Sequence, residues 1–345
     1  MDFALTEDQR MLEESARKFF EEKHPLVLAR RPPDWRDPPT QALWRDLAQM
    51  GFLDLLVPAE QDGLGMGLVE GWLVLEAAGR SLLTLPLAEA MLLWPALGEH
   101  AGPGALRQLA LQVRQGNVCA PIGMVATWRE GDLLDAMADT ESLHLLTTLP
   151  TSGGAVHMQW NLSGASLLAG LEPSRELLAP TGPPASRLAL PALDMAALEL
   201  RLGLLRAASS VGVASRALDL TCTYANERIQ FGKPIGMQQA LKHRLANHWM
   251  ALDNARLAGL YAASALDTAS PDAAFACAAA IGCAAEAAQA TVADAIQVHG
   301  ALGFSWEHDA HLFFKRVMHL SALQGPVDQL VDRIWSEHPL ARQAA

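Results

Sequence analysis

The chain has 345 residues, half of them hydrophobic, which is enough for two or three domains with buried cores. A formal net charge of −12 and the lack of any long run of Lys and Arg argue against a general nucleic-acid-binding protein. The 4 cysteines are scattered without a Cys-x-x-Cys pair, which argues against a zinc knuckle or a dithiol redox site. The composition therefore predicts an ordinary globular protein in a reducing, cytoplasmic setting.

Residues 1–117 carry the pattern of a helical domain. The N-terminus is acidic and lacks the positive and apolar segments of a signal peptide, and Thr6 with Gln9 forms a capping-box motif. Apolar residues then recur at helical spacing. Further helices are predicted between turns that contain Pro and Gly, at 41–50, 67–79, 87–97 and 105–115.

The next segment, residues 118–192, has a different composition. Pro and Gly are frequent, and the short apolar runs 143–149 and 155–160 are bounded by turn residues. Several prolines near the end of the segment indicate an extended linker. These features predict a small β domain.

From residue 193 the helical pattern returns, in segments long enough to form a bundle. These segments are 193–228, 237–268 and 272–299. The apolar stretch within the last of them carries Glu286 and Gln289, which suits a packed bundle helix better than a membrane span. The sequence therefore predicts a mainly α fold with a small β domain in its middle and a helical bundle over 193–345.

Two motifs stand at the ends of these long helices. Residues 228–235 read Arg-Ile-Gln-Phe-Gly-Lys-Pro-Ile, and residues 297–304 read Gln-Val-His-Gly-Ala-Leu-Gly-Phe. Together they resemble the two flavin-contacting signatures of the acyl-CoA dehydrogenase family, in which an Arg and a Gln of one subunit bind the FAD of its neighbour. The resemblance implies an N-terminal helical domain, a middle β domain and a C-terminal four-helix bundle.

The same resemblance implies a set of FAD-binding residues. Arg228 would pair with the pyrophosphate through two parallel hydrogen bonds, a geometry that suits a guanidinium. The residues implied to flank the nucleotide are Gln230, Phe231, Ile235, Gln239, Gln297 and Gly300. Taken alone, Arg228 would be interpreted as a solvated cation at a helix end and Gln297 as a buried amide. Their occurrence in two extended motifs favours the flavin interpretation.

The position of the family's catalytic base holds an amide in this chain. The family carries a Glu, followed by a Gly, twenty residues after the position that Phe304 holds in this chain. The residue at that place here is Gln324. An amide has no usable basicity near neutral pH and cannot remove the substrate α-proton. The other family location, on the first bundle helix, is Leu202. No catalytic residue is therefore assigned, and the possible substitutes are Glu199, Asp194 and Glu227.

The β domain also departs from the family pattern. The Thr-Glu-x-x-x-Gly-Ser-Asp-like turn and the Trp-Ile-Thr/Ser strand, which hold the flavin ring of the same subunit, are missing from 120–160. Thr127 and Trp128 are a faint trace of them. Pro326 and Asp328 likewise replace the Thr and Gln that usually contact the FAD of the same subunit.

Residues 306–316 resemble a branch of the family that acts on bulky acyl-CoAs, including steroid side-chain thioesters, and that often works as two unlike subunits. Acidic and imidazole side chains alternate here, in Glu307, His308, Asp309 and His311. Such alternation at a helix start is typical of capping rather than of metal coordination, and no metal site is predicted.

These features favour a subunit of an FAD-dependent acyl-CoA dehydrogenase that completes the flavin site of a partner subunit and lacks its own base. One alternative is a self-sufficient homotetramer with a non-standard base, and another is a non-catalytic acyl-CoA-binding or assembly protein. The resemblance implies an acyl-CoA substrate, a second dehydrogenase subunit and an electron-transferring flavoprotein as acceptor. Neither nucleic-acid binding nor a membrane span is expected.

Overall fold

A computed structural model describes residues 4–137, 140–148, 153–162, 167–325 and 327–338, without the side chains of Val327, Asp328 and Val331. Its α-helices are α1 (Glu7–Lys23), α2 (Pro38–Gln49), α3 (Leu68–Arg80), α4 (Leu87–His100), α5 (Ala105–Arg114), α6 (Met195–Glu227), α7 (Gln239–Asp267), α8 (Ala273–His299), α9 (Ala310–Gln324) and α10 (Val327–Glu337). Its strands are β1 (Ile122–Met124), β2 (Leu134–Ala136), β3 (Ser142–Thr148), β4 (Ala155–Asn161), β5 (Leu168–Ala169), β6 (Glu176–Leu178), β7 (Ser186–Leu190), β8 (Ile229–Gln230) and β9 (Lys233–Pro234).

The predicted helices are confirmed, and their ends lie within three residues of the predicted ones. The capping box opens α1 as expected, because the Gln9 N–H donates to Thr6 Oγ1 at 3.2 Å and the Thr6 N–H donates to Gln9 Oε1 at 3.0 Å. The described residues pack as two compact units. One comprises the chain up to Val27, Gly67–Leu83 and the chain from Gly203, and the other comprises Leu28–Met66 and Thr84–Leu202. The division into domains at residues 117 and 192 stays a prediction.

The β region predicted between residues 118 and 192 is confirmed as two small sheets. The larger has the strand order β1-β3-β4-β7, with β1 parallel to β3 and the other pairs antiparallel, and the smaller has the order β2-β6-β5. The register pairs Leu143 with Trp160 and Leu145 with Met158. These four side chains are buried together, because alternate residues of a strand point to the same face.

The opposite face of β3 and β4 buries two imidazoles in contact. His144 Nδ1 lies 2.9 Å from His157 Nε2, and His144 Nε2 lies 2.7 Å from Ser142 Oγ. Burial lowers the pKa of His144 to about 3 and that of His157 to about 4, from an ordinary value of 6.5. The proximity of His157 lowers the pKa of His144 further. Both rings are therefore neutral in the folded protein at neutral pH.

We expect this histidine pair to make the protein acid-sensitive. Between pH 6.5 and pH 4 the unfolded chain binds protons that the folded pair rejects, so stability is lost as the pH falls through that window. The loss should be on the order of a few kcal/mol. The free energy of unfolding, measured in urea across this range, should depend less on pH in the His144→Leu/His157→Leu double variant than in the wild type. A variant at the exposed His243 is the control and should keep the wild-type pH dependence. Equal pH dependence in the wild type and the double variant would contradict the prediction.

Helices α3 and α6 cross at close range through two glycines. A methyl group added at Gly79 would overlap the carbonyl oxygen of Ser209, and one added at Gly212 would overlap that of Glu76. Next to this crossing, the Arg256 Nε–H donates to Glu76 Oε2 at 2.8 Å and its Nη2–H donates to Glu13 Oε1 at 2.9 Å. Burial raises the pKa of Glu76, and the Arg256 charge opposes that shift. The cluster holds α1, α3 and α7 together.

Helix α8 is the central apolar helix of its unit. Together with the short helix Gly300–Phe304, it is long and apolar enough to span a membrane, and 56% of its most apolar window is buried inside the protein. Its buried positions are mostly alanines, and a small side chain lets neighbouring helices approach closely. This burial favours the predicted bundle helix.

Candidate functional site

A tight hairpin follows α6 and displays the first motif. The Arg228 N–H donates to the Tyr224 carbonyl at 2.8 Å, and β8 then pairs with β9 across a two-residue turn formed by Phe231 and Gly232. Both turn residues have positive φ, +52° and +79°, as a type I′ turn requires. Positive φ is unfavourable for Phe. The strained backbone nevertheless presents a Phe231 side chain that is 94% exposed.

The other flavin-binding residues implied by the sequence are also on the surface. Arg228, Gln239 and Gln297 are exposed, and Ile235 is half-buried where its N–H donates to the Arg228 carbonyl at 2.9 Å. Within the described part of the chain the Arg228 guanidinium makes no hydrogen bond or ion pair. Gln230 Nε2 donates to the neighbouring carbonyl of Ile229 at 2.8 Å. These groups are available to a ligand outside the chain.

Gly300 ends α8 in a conformation that favours glycine. Its φ is +62°, its N–H donates to the carbonyls of Gln297 and Ile296, and no atom lies within 4 Å of the place where a Cβ would stand. The backbone is thus open to close approach. An exposed guanidinium, exposed amides and open backbone fit the pyrophosphate edge of FAD.

An aromatic contact links the helix end before the first motif to the second motif. The Tyr224 ring, one turn before Arg228, stacks on the His299 ring with centroids 4.4 Å apart and an interplanar angle of 27°. His299 lies between Gln297 and Gly300. Neither ring has a role predicted from the sequence, because a contact between residues 75 positions apart leaves no local sequence pattern.

Gln324 is held by a helix backbone. It is the last residue of α9, is half-buried, and its Nε2–H donates to the Gly203 carbonyl of α6 at 3.2 Å. Leu202, the other family location for a base, is fully buried. The Gln324 side chain therefore acts as a hydrogen-bond donor to α6.

The three substitute carboxylates differ in their surroundings. Asp194 caps α6, since its Oδ1 accepts the Ala197 N–H at 3.0 Å. Glu199 and Glu227 are exposed on the same helix. Asp194 is exposed as well, so none of the three carboxylates lies in a buried pocket.

Trp128, the faint trace of the family's flavin-ring segment, packs against the β core. Its ring lies 5.3 Å from that of Trp160, and its backbone N–H donates to Thr147 Oγ1 at 3.0 Å. This position gives Trp128 a packing role. Pro326 and the side chain of Asp328 lie outside the described residues.

The acid–imidazole segment before α9 shows a capping contact. The Ala310 N–H donates to His308 Nδ1 at 3.1 Å, and the buried His311 ring packs 4.8 Å from the Trp306 ring. Among the described residues, no group of three or more His, Cys, Asp or Glu side chains is arranged to hold a metal ion.

Two domain families match the chain. The acyl-CoA dehydrogenase N-terminal domain matches residues 6–108, and the acyl-CoA dehydrogenase C-terminal domain matches residues 199–336. The second match contains both motifs and Gln324.

Curated relatives and solved structures extend this similarity over most of the chain. The acyl-CoA dehydrogenase IpdE2 of Mycolicibacterium smegmatis is 33% identical to this chain over 298 residues, which cover 86% of this chain and 87% of the relative. IpdE2 of Mycobacterium tuberculosis is also 33% identical, over 299 residues that cover 86% of each chain. The ChsE4-ChsE5 complex of M. tuberculosis gives a TM-score of 0.81 at 23% identity over 99% of both chains. Butyryl-CoA dehydrogenase from Megasphaera elsdenii gives 0.74 at 17% identity over 97% of this chain and 98% of that one. The chain therefore belongs to the acyl-CoA dehydrogenase family of oxidoreductases and has its mainly helical fold with a small β region.

Proposed function

We propose that this chain is a subunit of an FAD-dependent acyl-CoA dehydrogenase and completes the flavin site of an unlike partner subunit. The observation that carries the proposal is the outward display of the first motif. Arg228 makes no polar side-chain contact among the described residues, and Phe231 is held in a strained turn with 94% of its surface exposed. Strained backbone of this kind clusters at functional sites, where it is retained because it serves a contact.

The reaction we infer is α,β-dehydrogenation of an acyl-CoA thioester. A base would remove the α-proton, and bound FAD would supply the acceptor for the β-hydride, so that the substrate loses two electrons and two hydrogens and gains a C=C bond. In this chain Arg228 would balance the charge of the pyrophosphate. Gln230 and Gln297 would donate to the nucleotide, the open backbone at Gly300 would let it approach closely, and Phe231, Ile235 and Gln239 would flank it.

The base would come from the partner subunit. Gln324 cannot accept the α-proton, and the amide is already used as a donor to α6. The family's flavin-ring segment has no counterpart in 120–160, where Trp128 packs into the β core. The site on this chain therefore lacks a catalytic base, and it also lacks the segment that would bind the flavin ring of the same subunit.

Two structural relatives support an assembly of unlike chains. The ChsE4-ChsE5 complex and the Tcur3481-Tcur3483 steroid ACAD are named as pairs of proteins, and the latter gives a TM-score of 0.79 at 22% identity. With the resemblance at residues 306–316, they support a bulky, steroid-like acyl-CoA as substrate. The acceptor we infer is an electron-transferring flavoprotein, as the family implies, and the cytoplasmic location stays a prediction.

Flavin content distinguishes the proposed heteromer from the alternatives. The chain should be purified alone and after co-expression with a second acyl-CoA dehydrogenase chain that carries the catalytic Glu and the flavin-ring segment. We expect the isolated chain to carry little FAD, whereas the gel-filtered complex should carry FAD that is reduced by acyl-CoA. The partner purified alone is the control, because it should bind FAD more weakly than the complex. A yellow homo-oligomer of this chain that is bleached by acyl-CoA would support the self-sufficient enzyme instead.

A further inference from the structure

Three aromatic rings are in contact at the second motif. His299 is 4% exposed, the Tyr224 ring stacks on it with centroids 4.4 Å apart, and the His308 ring lies 4.3 Å from it at an interplanar angle of 45°. Tyr224 is on α6, His299 is the last residue of α8, and His308 lies just before α9. These contacts therefore join the end of α6 to the end of α8 and the start of α9.

The hydrogen bonds of His299 identify its tautomer. Nδ1 lies 2.7 Å from the Ala295 carbonyl oxygen, which only accepts, so Nδ1 carries the proton. Nε2 is then a bare acceptor, and it is buried without a hydrogen-bond partner among the described residues. Burial lowers the pKa of His299, and the Ala295 carbonyl opposes that shift. The ring is neutral at neutral pH and can stack without the cost of a buried charge.

Residues of the candidate flavin surface lie next to this ring and next to Tyr224. Tyr224 lies one helical turn before Arg228, and its carbonyl accepts the Arg228 N–H at 2.8 Å. Gln297 and Gly300 flank His299 directly along the chain. His308 accepts the first free N–H of α9, from Ala310, at 3.1 Å.

We propose that His299 is a positioning residue that holds the Arg228 motif and the Gln297–Gly300 motif in one geometry, so that both meet the same nucleotide. The inference rests on the proposed function, because it assumes that these motifs bind FAD. His299 acts through its neighbours and has no contact with the reacting atoms. The ring, rather than its polar edge, is the part that couples α6 to α8.

The test is an FAD titration of the apo-complex with variants that separate the ring from its hydrogen bond. His299→Leu removes both, and we expect FAD affinity to fall about 3- to 10-fold, the size of one lost aromatic contact. His299→Phe keeps the ring and should restore most of the affinity. His299→Asn keeps a donor for the Ala295 carbonyl but no ring, and should behave like His299→Leu.

The chain provides a matched control at the end of another helix. His100 is the last residue of α4, and its Nδ1 donates to the Ala96 carbonyl at 2.9 Å, four residues back as in His299. No ring contact of His100 occurs in the described chain. His100→Leu should therefore leave FAD affinity unchanged.

A double-mutant cycle with Arg228→Ala tests the coupling itself. If His299 acts by positioning Arg228, His299→Leu should cost much less affinity in the Arg228→Ala background than in the wild type. Additive losses, or a loss as large in His299→Phe as in His299→Leu, would overturn the inference. If Arg228→Ala weakens FAD binding and His299→Leu does not, the positioning role is wrong and the proposed function stands. If neither variant affects FAD binding, the proposed function fails as well.

Discussion

Assayed alone, this chain is expected to oxidise acyl-CoA substrates about 100- to 10,000-fold more slowly than its complex with a partner subunit, the usual cost of losing a positioned general base. The reason is chemical, since the two family locations for the base hold Gln324 and Leu202. The measurement is reduction of bound flavin by acyl-CoA under matched flavin concentrations. Replacing the partner's catalytic Glu with Gln should abolish the activity of the complex. That result would show that no base comes from this chain.

Gln324→Glu is expected not to create activity in the isolated chain. The Gln324 amide donates to the Gly203 carbonyl, and a carboxylate at the same place would bring two acceptors together. We therefore expect the new carboxyl group to turn away or to hold a proton. Gln324→Met, which removes the bond without adding charge, is the matched control for the effect on stability.

Rapid turnover by the isolated chain would contradict this account of the base. The substitute would then be found with the single variants Glu199→Gln, Asp194→Asn and Glu227→Gln. Asp194 already caps α6 through the Ala197 N–H, so loss of activity in Asp194→Asn alone would need an unfolding control. Rapid flavin reduction by Gln324→Glu alone would instead show that a flavin ring is held in this chain.

The helices could be predicted from sequence because their signals are local. Thr6 and Gln9 lie three residues apart, and the stretch from α6 to α8 is periodic, with Pro and Gly at its breaks. Exposure could not be predicted in the same way. Trp249 keeps the apolar spacing of Leu245 and Leu252 on α7, yet it is 62% exposed. An apolar stripe looks alike whether it faces a core or another chain.

The flavin-binding role of the motif residues stays a prediction, and the contacts around them could not be predicted because they join distant parts of the sequence. The hydrogen bond from Gln324 to Gly203 joins residues that are 121 positions apart, so no local sequence pattern indicates it. The motifs indicate polar residues for contact with FAD, but they give no sign of the contact between the Tyr224 and His299 rings. The strain at Phe231 was equally hidden, because the sequence Phe-Gly indicates a turn without giving its φ. Physical contacts of this kind had to come from the structure.

Loss of the Arg228 side chain is expected to reduce FAD affinity of the complex about 10- to 100-fold, which corresponds to charge-assisted hydrogen bonds to a pyrophosphate. Arg228→Lys should recover part of that loss, because an ammonium keeps the charge but cannot make two parallel bonds. Neither change should shift the melting temperature of the free chain, since the guanidinium has no partner among the described residues.

The readout is FAD per complex after gel filtration, together with a titration of the apo-complex. Lys242→Ala is the matched control, because Lys242 is an exposed cation on α7 outside the two motifs. A general loss of positive surface charge would weaken FAD binding in both variants, whereas a specific bond to the pyrophosphate is lost only with Arg228. Unchanged flavin content in the Arg228→Ala complex would contradict the trans-binding role. The exposure of Phe231 would then have to be explained by a contact with protein rather than with a nucleotide.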